Sequence, residues 1–356
     1  MPRPYFSIVS PIFLCLLVVL VAVPARPTPT FAQSATPPAR PEATRGATAI
    51  ATIDGVSAPH TVGAPCGSDA AVAAPVAPLV PAAAGTGPAQ VGAAQGIVYK
   101  FGLTPWQKGQ SEDDVRFLFK PMLEWLGKAV GATFVLVGAK DYQQASQFLA
   151  NNTVQFANIS PSPFVVAQQH TPGIRMLVTE LSCHKATNTV SDSYRGYILA
   201  LKSRTDLNSV EDLQGKKFAF VSEESTSGFV VPNALLFTAH NRSYREYFAK
   251  TFFLGSHPLV TDAIAAGSVD AGATWDFNWS QAIQKHQDVF KALWTSPPIP
   301  NVGIAVHPSV PEAVQQQVQD ALLRIDPRLL QGLSPLGYVA RPDSFYDVIR
   351  QLEAAK

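Results

Sequence analysis

From residue 96 onward, short apolar runs alternate with stretches of helical period. Continuous apolar runs at 97–103, 133–137, 154–159, 175–181, 194–201, 217–221, 251–254, 271–275 and 303–307 predict strands. Over 113–130, Val115, Phe117, Leu118, Met122, Leu123, Leu126 and Val130 recur at helical spacing and predict an amphipathic helix. Further helices are predicted at 142–150, 163–169, 209–213, 227–240, 258–266, 311–324 and 345–352. Strands alternating with helices point to an α/β fold with mixed, mainly parallel sheets.

The first 95 residues lack this pattern. Residues 1–32 read as an export leader: Arg3 precedes an almost wholly apolar run from Ile8 to Val23, and Thr30-Phe31-Ala32 offers a cleavage site before Gln33. The run is short for a membrane span, although an uncleaved anchor is the other reading. Residues 33–95 contain no Phe, Trp or Tyr and only five charged residues, and 15 of the chain's 30 prolines lie before residue 96. Such a segment buries too little apolar surface to offset its ordering entropy, so it is expected to be an extended tether.

Composition narrows the function. Lys+Arg is 27 against Asp+Glu 26, so bulk charge gives no basis for nucleic-acid binding. Three cysteines cannot build a disulfide framework or a four-cysteine zinc site. Once the leader is gone, Cys66 and Cys183 remain. Export would permit a bridge, but Cys66 sits in the tether and the reading favours two free thiols. The seven histidines show no His-Glu-x-x-His spacing, and Cys183-His184 are adjacent, so no metal and no cofactor are expected. Trp106, Trp275 and Trp279 could line a cleft, with core packing as the default for a lone tryptophan.

The most informative stretch is Phe218-Ala-Phe-Val-Ser-Glu-Glu-Ser-Thr-Ser-Gly-Phe-Val-Val-Pro232. A strand runs into Ser225-Thr226-Ser227-Gly228 and a helix begins. Three hydroxyls meet the free N–H groups of a helix start, a site for a tetrahedral oxyanion. Gly228 is read as letting a ligand approach the backbone. The plainer alternative is an N-cap cluster with no ligand.

Residues 225–228, with Pro232 four residues on, resemble the signature of the phosphonate-binding family of periplasmic proteins, the solute receptors of phosphate, phosphite and phosphonate ABC importers. Asp141-Tyr142, Tyr194-Arg-Gly-Tyr-Ile198, Gly255-Ser-His257, Gly267-Ser-Val-Asp-Ala271, Trp275-Asp276 and Pro298-Ile-Pro-Asn301 follow in the family's order. The resemblance covers nearly all of 96–356. It implies a two-lobed type II periplasmic-binding-protein fold with a hinge: lobe I over 96–203 and 303–356, lobe II over 204–302. It implies a phosphorus oxyanion held by Ser225, Thr226 and Ser227, with Tyr142 donating from lobe I. His257 would donate or sense the ligand's protonation, and Asp276 would accept from a protonated oxygen or an amine. Ser160 and Ser162 stand where some members carry an aromatic, and Ser160 joins the candidate set. Gln155 stands where an acid is common, and Glu223 or Glu224, if turned inward, would repel a dianion.

The expected protein is therefore an exported monomer that delivers its ligand to an ABC permease in the membrane and is not an enzyme. The alternative is the same fold serving as an anion sensor for a signalling partner. A more distant reading is a secreted phosphoester hydrolase built on Ser225 or Ser227, His257 and Asp276, but no Gly-x-Ser-x-Gly elbow surrounds the serines.

Overall fold

The computed structural model describes Cys66 and residues 96–103, 112–184, 188–237 and 241–356. The expected leader, the rest of the expected tether and Trp106 lie outside the described residues.

Strands β1 (Val98–Leu103), β2 (Thr133–Gly138) and β3 (Phe156–Ile159) pair in parallel. They are linked by α1 (Glu112–Val130) and α2 (Tyr142–Ala150), and α3 (Pro161–His170) follows β3. β4 (Arg175–His184) turns back into β5 (Thr189–Ser191). The short β6 (Ser193–Tyr194) then carries the chain to a second sheet. That sheet holds β7 (Gly196–Leu201), β8 (Lys217–Phe220), β9 (Lys250–Phe253), β10 (Ala271–Trp275) and β11 (Phe290–Thr295), in the order β11-β7-β10-β8-β9. Its helices are a π-type helix over 226–237, α4 (Tyr244–Tyr247), α5 (His257–Ala265) and α6 (Asp276–His286). β12 (Ile299–Pro300) returns beside β6, Ile299 opposite Tyr194. β13 (Gly303–Val306) and β14 (Gly337–Val339) complete the first sheet, ordered β14-β4-β13-β3-β1-β2 with β5 on β4. α7 (Glu312–Leu323) and α8 (Asp347–Ala354) cover it.

Two expectations shift. β7 pairs with β10 and β11, so it belongs to the second sheet, and the first crossing lies at β6 rather than at residue 203. The sheets are mixed, but with a larger antiparallel share than strand–helix alternation implied. β13, β14 and β5 run against their neighbours, as does β7, because the chain enters and leaves each lobe on a return strand.

A third shift concerns the cysteines. Cys66 and Cys183 form a disulfide with Cα atoms 5.6 Å apart, and Cys66 N–H donates to the Asn188 carbonyl at 3.1 Å. Residue 66 is thus fixed to the β4–β5 hairpin. No feature of the neighbouring sequence carried that information.

The lobes share packing. One core cluster places Phe164, Tyr346 and Ile159 of the first sheet's layer with Phe218, Phe229 and Ile198 of the second. The β6–β12 ribbon is pinned to the first sheet by Asn301, whose amide donates to Glu180 O, Ser182 Oγ and Ser191 O. Beside it the buried Asp192 carboxylate pairs with Arg341 at 2.6 Å.

Candidate functional site

Parallel strands set the site. Residues at the carboxyl ends of β2, β3, β8 and β9 enter helices whose N-termini meet between the lobes, the place where open α/β sheets bind ligands. Tyr142 opens α2 after an Asp141 cap, whose carboxylate accepts from Gln144 N–H at 2.7 Å. Ser160 precedes α3, Ser225 caps the helix over 226–237, and His257 opens α5. These elements enclose a cavity of about 70 Å³.

Six of the seven predicted residues line this cavity: Tyr142, Ser160, Ser225, Thr226, Ser227 and His257. Asp276 does not. It was expected to accept from a protonated ligand oxygen or an amine; it is the first residue of α6, and its carboxylate accepts from Phe277 N–H at 2.8 Å. Burial nevertheless pushes that carboxyl up to about 6, and its charge is felt by the Tyr194 phenol.

The serine–threonine run is built around a wide turn. Ser225 O accepts from both Phe229 and Val230 N–H at 3.0 Å, and Ser225 Oγ accepts from Gly228 N–H at 3.2 Å. Pro232 lacks an N–H and its ring would crowd the Gly228 carbonyl in a regular helix. That carbonyl accepts from Val221 N–H at 3.3 Å instead. A Cβ on Gly228 would lie 2.5 Å from Val221 Cγ2, so the glycine makes room for Val221 rather than for a ligand.

Thr226 links the lobes. Its hydroxyl oxygen accepts from the buried Ser162 N–H at 3.0 Å. Pro161 and Pro163 flank Ser162, so this is the sole amide proton among the first three residues of α3. Ser160 makes no side-chain bond to its own helix. The Ser162 hydroxyl turns away to Glu353 of α8.

Two phenols complete the donor set. Burial pushes Tyr142 up to about 12, only partly offset by a hydrogen bond with Ser225. Burial likewise raises Tyr194, which contacts Ser227 and Thr226. Both stay protonated at neutral pH and can donate. Trp275, for which core packing was the default, lines the cavity and meets Tyr194 edge-on at 5.5 Å. Trp279 does pack internally, against Tyr197.

His257 is buried, and burial pulls it down to about 3. Its Nδ1 lies 3.1 Å from Thr274 Oγ1, which accepts from the Asn278 amide at 3.0 Å. This arrangement lets Thr274 donate to Nδ1 and leaves Nε2 carrying the ring proton. The ring is neutral across the physiological range, so it can donate but does not report ligand protonation by its own titration near neutrality. A Ser–His–Asp relay is not assembled, because the Nδ1 partner is a threonine and the Asp276 carboxylate accepts from Phe277 N–H.

Glu180, Asn158 and Tyr338 also line the cavity and were not singled out by sequence. Glu180 is buried in β4, accepts from the Asn158 amide at 2.6 Å, and is pushed up to about 7 by burial. An acid inside the apolar run Met176-Leu-Val-Thr-Glu-Leu181 was the available signal. Two of the residues flagged earlier have partners of their own: Glu223 pairs with Arg245 at 3.1 Å, and Gln155 accepts from Lys100 N–H at 3.0 Å.

Two lobes closing on a cavity of neutral donors define a solute-binding receptor. The family model for ABC transporter, phosphonate, periplasmic substrate-binding protein matches residues 101–346, and the chain belongs to that family. The phosphate-import protein PhnD of Mycolicibacterium smegmatis is 28% identical over 257 residues, covering 69% of this chain and 78% of that one. A binding-protein component of a phosphonate ABC transporter from Pseudomonas aeruginosa superposes with a TM-score of 0.63 at 20% identity, over 72% of this chain and 86% of that one. PhnD1 from Prochlorococcus marinus, solved with methylphosphonate, gives 0.62 at 18%, over 72% and 97%. These two structures share the type II periplasmic-binding-protein fold.

Proposed function

We propose that the cavity holds one phosphorus oxyanion, phosphate or a small phosphonate or phosphite, and that the closed receptor hands it to an ABC permease. The observation that carries this is the convergence of Ser225, Thr226, Ser227, Tyr142, Tyr194 and His257 on one cavity whose lining, among the described residues, includes no Lys or Arg. Hydroxyls, a neutral imidazole and helix-start amides bind an oxyanion through oriented dipoles. Hydrogen bonds to a charged partner contribute roughly 1.5–3 kcal/mol each. A few of them reach the about −8 kcal/mol of micromolar binding. The M. smegmatis relative and the methylphosphonate complex support the ligand class.

The protein acts outside the cytoplasm as a monomer. In this reading residues 1–32 direct export and the tether begins at 33, with Cys66 anchored to the folded part. The test is calorimetric titration with phosphate, phosphite, methylphosphonate and sulfate. Binding of at least one phosphorus oxyanion, abolished when Ser225, Thr226 and Ser227 are all alanine in a folded protein, is expected. Unchanged affinity in that variant would remove the helix start from the site.

A further inference from the structure

The cavity carries two kinds of polar group. The lobe II hydroxyls and His257 donate. Glu180 offers a carboxyl, held by the Asn158 amide at 2.6 Å, and among the described residues no lysine or arginine lines the cavity to balance it. An ionised Glu180 beside a dianion would leave like charges unpaired in an enclosed space, which is strongly unfavourable. The conflict disappears when one hydrogen lies between them: either the ligand donates an O–H to the carboxylate, or Glu180 is itself protonated and donates.

We propose that Glu180 is the specificity-determining residue of this site, selecting oxyanions that keep an acidic O–H near neutral pH and rejecting those that have none. The inference rests on the oxyanion reading of the cavity. Monohydrogen phosphate keeps a P–OH throughout the neutral range. Sulfate has lost both protons and offers only acceptors. Sulfate therefore binds only with Glu180 protonated, at the cost of taking a proton from water, whereas phosphate brings its own donor. The discrimination falls on the ligand atoms that touch Glu180 directly.

The surroundings keep this carboxyl as the group that decides. From β3 it faces Asn158, which is neutral. Tyr338 of β14 and Tyr346 before α8 feel its charge, and burial raises both phenols, so they stay neutral. The nearby Asp192 is paired with Arg341. Across the cavity His257 is neutral, and Asp276, pushed up only to about 6, completes most of its ionisation before Glu180 does. Burial holds Glu180 at about 7, where a proton is available to it in the working range.

The experiment is titration of the full chain with inorganic phosphate and with sulfate, from about pH 6.5 to about pH 8.5, in wild type and Glu180→Gln. Glutamine keeps the acceptor that Asn158 uses and presents an N–H₂ without needing a proton. In wild type the preference for phosphate over sulfate is expected to widen as pH rises. In E180Q sulfate binding should strengthen by on the order of tenfold or more and lose its pH dependence, collapsing the preference. A preference that E180Q leaves unchanged overturns the assignment to Glu180 while the oxyanion site stands. Should E180Q fail to fold, a wild-type preference that is flat across this pH range overturns it equally. Binding of neither anion, nor of phosphite or methylphosphonate, overturns both readings.

Discussion

Thr226→Val tests whether lobe closure and ligand capture share one hydroxyl. Valine keeps the shape of threonine and removes its oxygen. In the closed form Thr226 Oγ1 accepts from Ser162 N–H at 3.0 Å, and both residues are buried. Without that oxygen the Ser162 N–H has no partner when the lobes meet, and Pro161 and Pro163 leave α3 no other amide to substitute. Stranding a buried donor costs about 1–3 kcal/mol, and only in the closed state, because water satisfies the amide when the lobes part. The threonine oxygen accepts in this bond, which leaves its own proton as a donor to a charged ligand oxygen, worth about 1.5–3 kcal/mol. The lower ends together give about 2.5 kcal/mol, a loss of roughly seventyfold in affinity. Titration calorimetry with inorganic phosphate measures this directly. Small-angle scattering at saturating ligand should show T226V less closed than wild type. Thr226→Ser keeps the oxygen and should bind within a few-fold of wild type. Affinity of T226V within threefold of wild type would refute the reasoning.

Three further outcomes follow from buried groups. Arg341→Met leaves the fully buried Asp192 without its partner and should cost about 3–5 kcal/mol in chemical denaturation, while adding Asp192→Asn should recover part of it. Gly228→Ala forces a Cβ to 2.5 Å from Val221 Cγ2 and 2.7 Å from Ser225 Oγ, so it should cost about 1–3 kcal/mol and lower the melting temperature by several degrees. Glu180 is raised to about 7 in the folded protein, so the folded state holds a proton that the unfolded chain releases above its ordinary carboxyl value near 4.5; Glu180 should therefore lower ligand-free stability by about 3 kcal/mol as pH rises from about 4.5 to about 7, on top of the loss from the raised Asp276, and E180Q should remove the Glu180 share in a thermal-melt series.

Much of lobe and site was legible because parallel strands and their helices carry strong periodicity. The helix over 142–150 and the strand over 271–275 are found with the expected bounds. α6 and β11 escaped notice, as did the short β5, α4 and β14. α6, Asp276 to His286, buries only Asn278 and Ala282, so its sequence shows no apolar stripe, and β11 interrupts its apolar pattern with Lys291. The hydroxyl cluster was visible as a motif because Ser225, Thr226 and Ser227 are adjacent. Glu180, Tyr194 and Tyr338 reach the same cavity from three separate strands, and nothing in their local sequence announces that the fold gathers them. Asp276 was read as a ligand group from its place beside Trp275, but where a helix starts decides whether a carboxylate faces outward or accepts from its own helix's amides.

A receptor must also let go, and the proposed donor set offers a way for this one to do so. The hydroxyls of 225–227 and the His257 ring belong to the second lobe, whereas Tyr142 and Ser160 follow strands of the first. A fixed lysine or arginine would keep attracting the anion after the lobes part, because Coulomb attraction falls only as the inverse of distance. Hydrogen bonds vanish once donor and acceptor separate beyond about 3.5 Å. With neutral donors divided between the lobes, a small opening removes one lobe's share of the bonds outright. Losing about half of a −8 kcal/mol interaction turns micromolar binding into roughly millimolar. The Ser162–Thr226 bond breaks in the same movement, so the geometry that completes the site is also the one whose loss empties it.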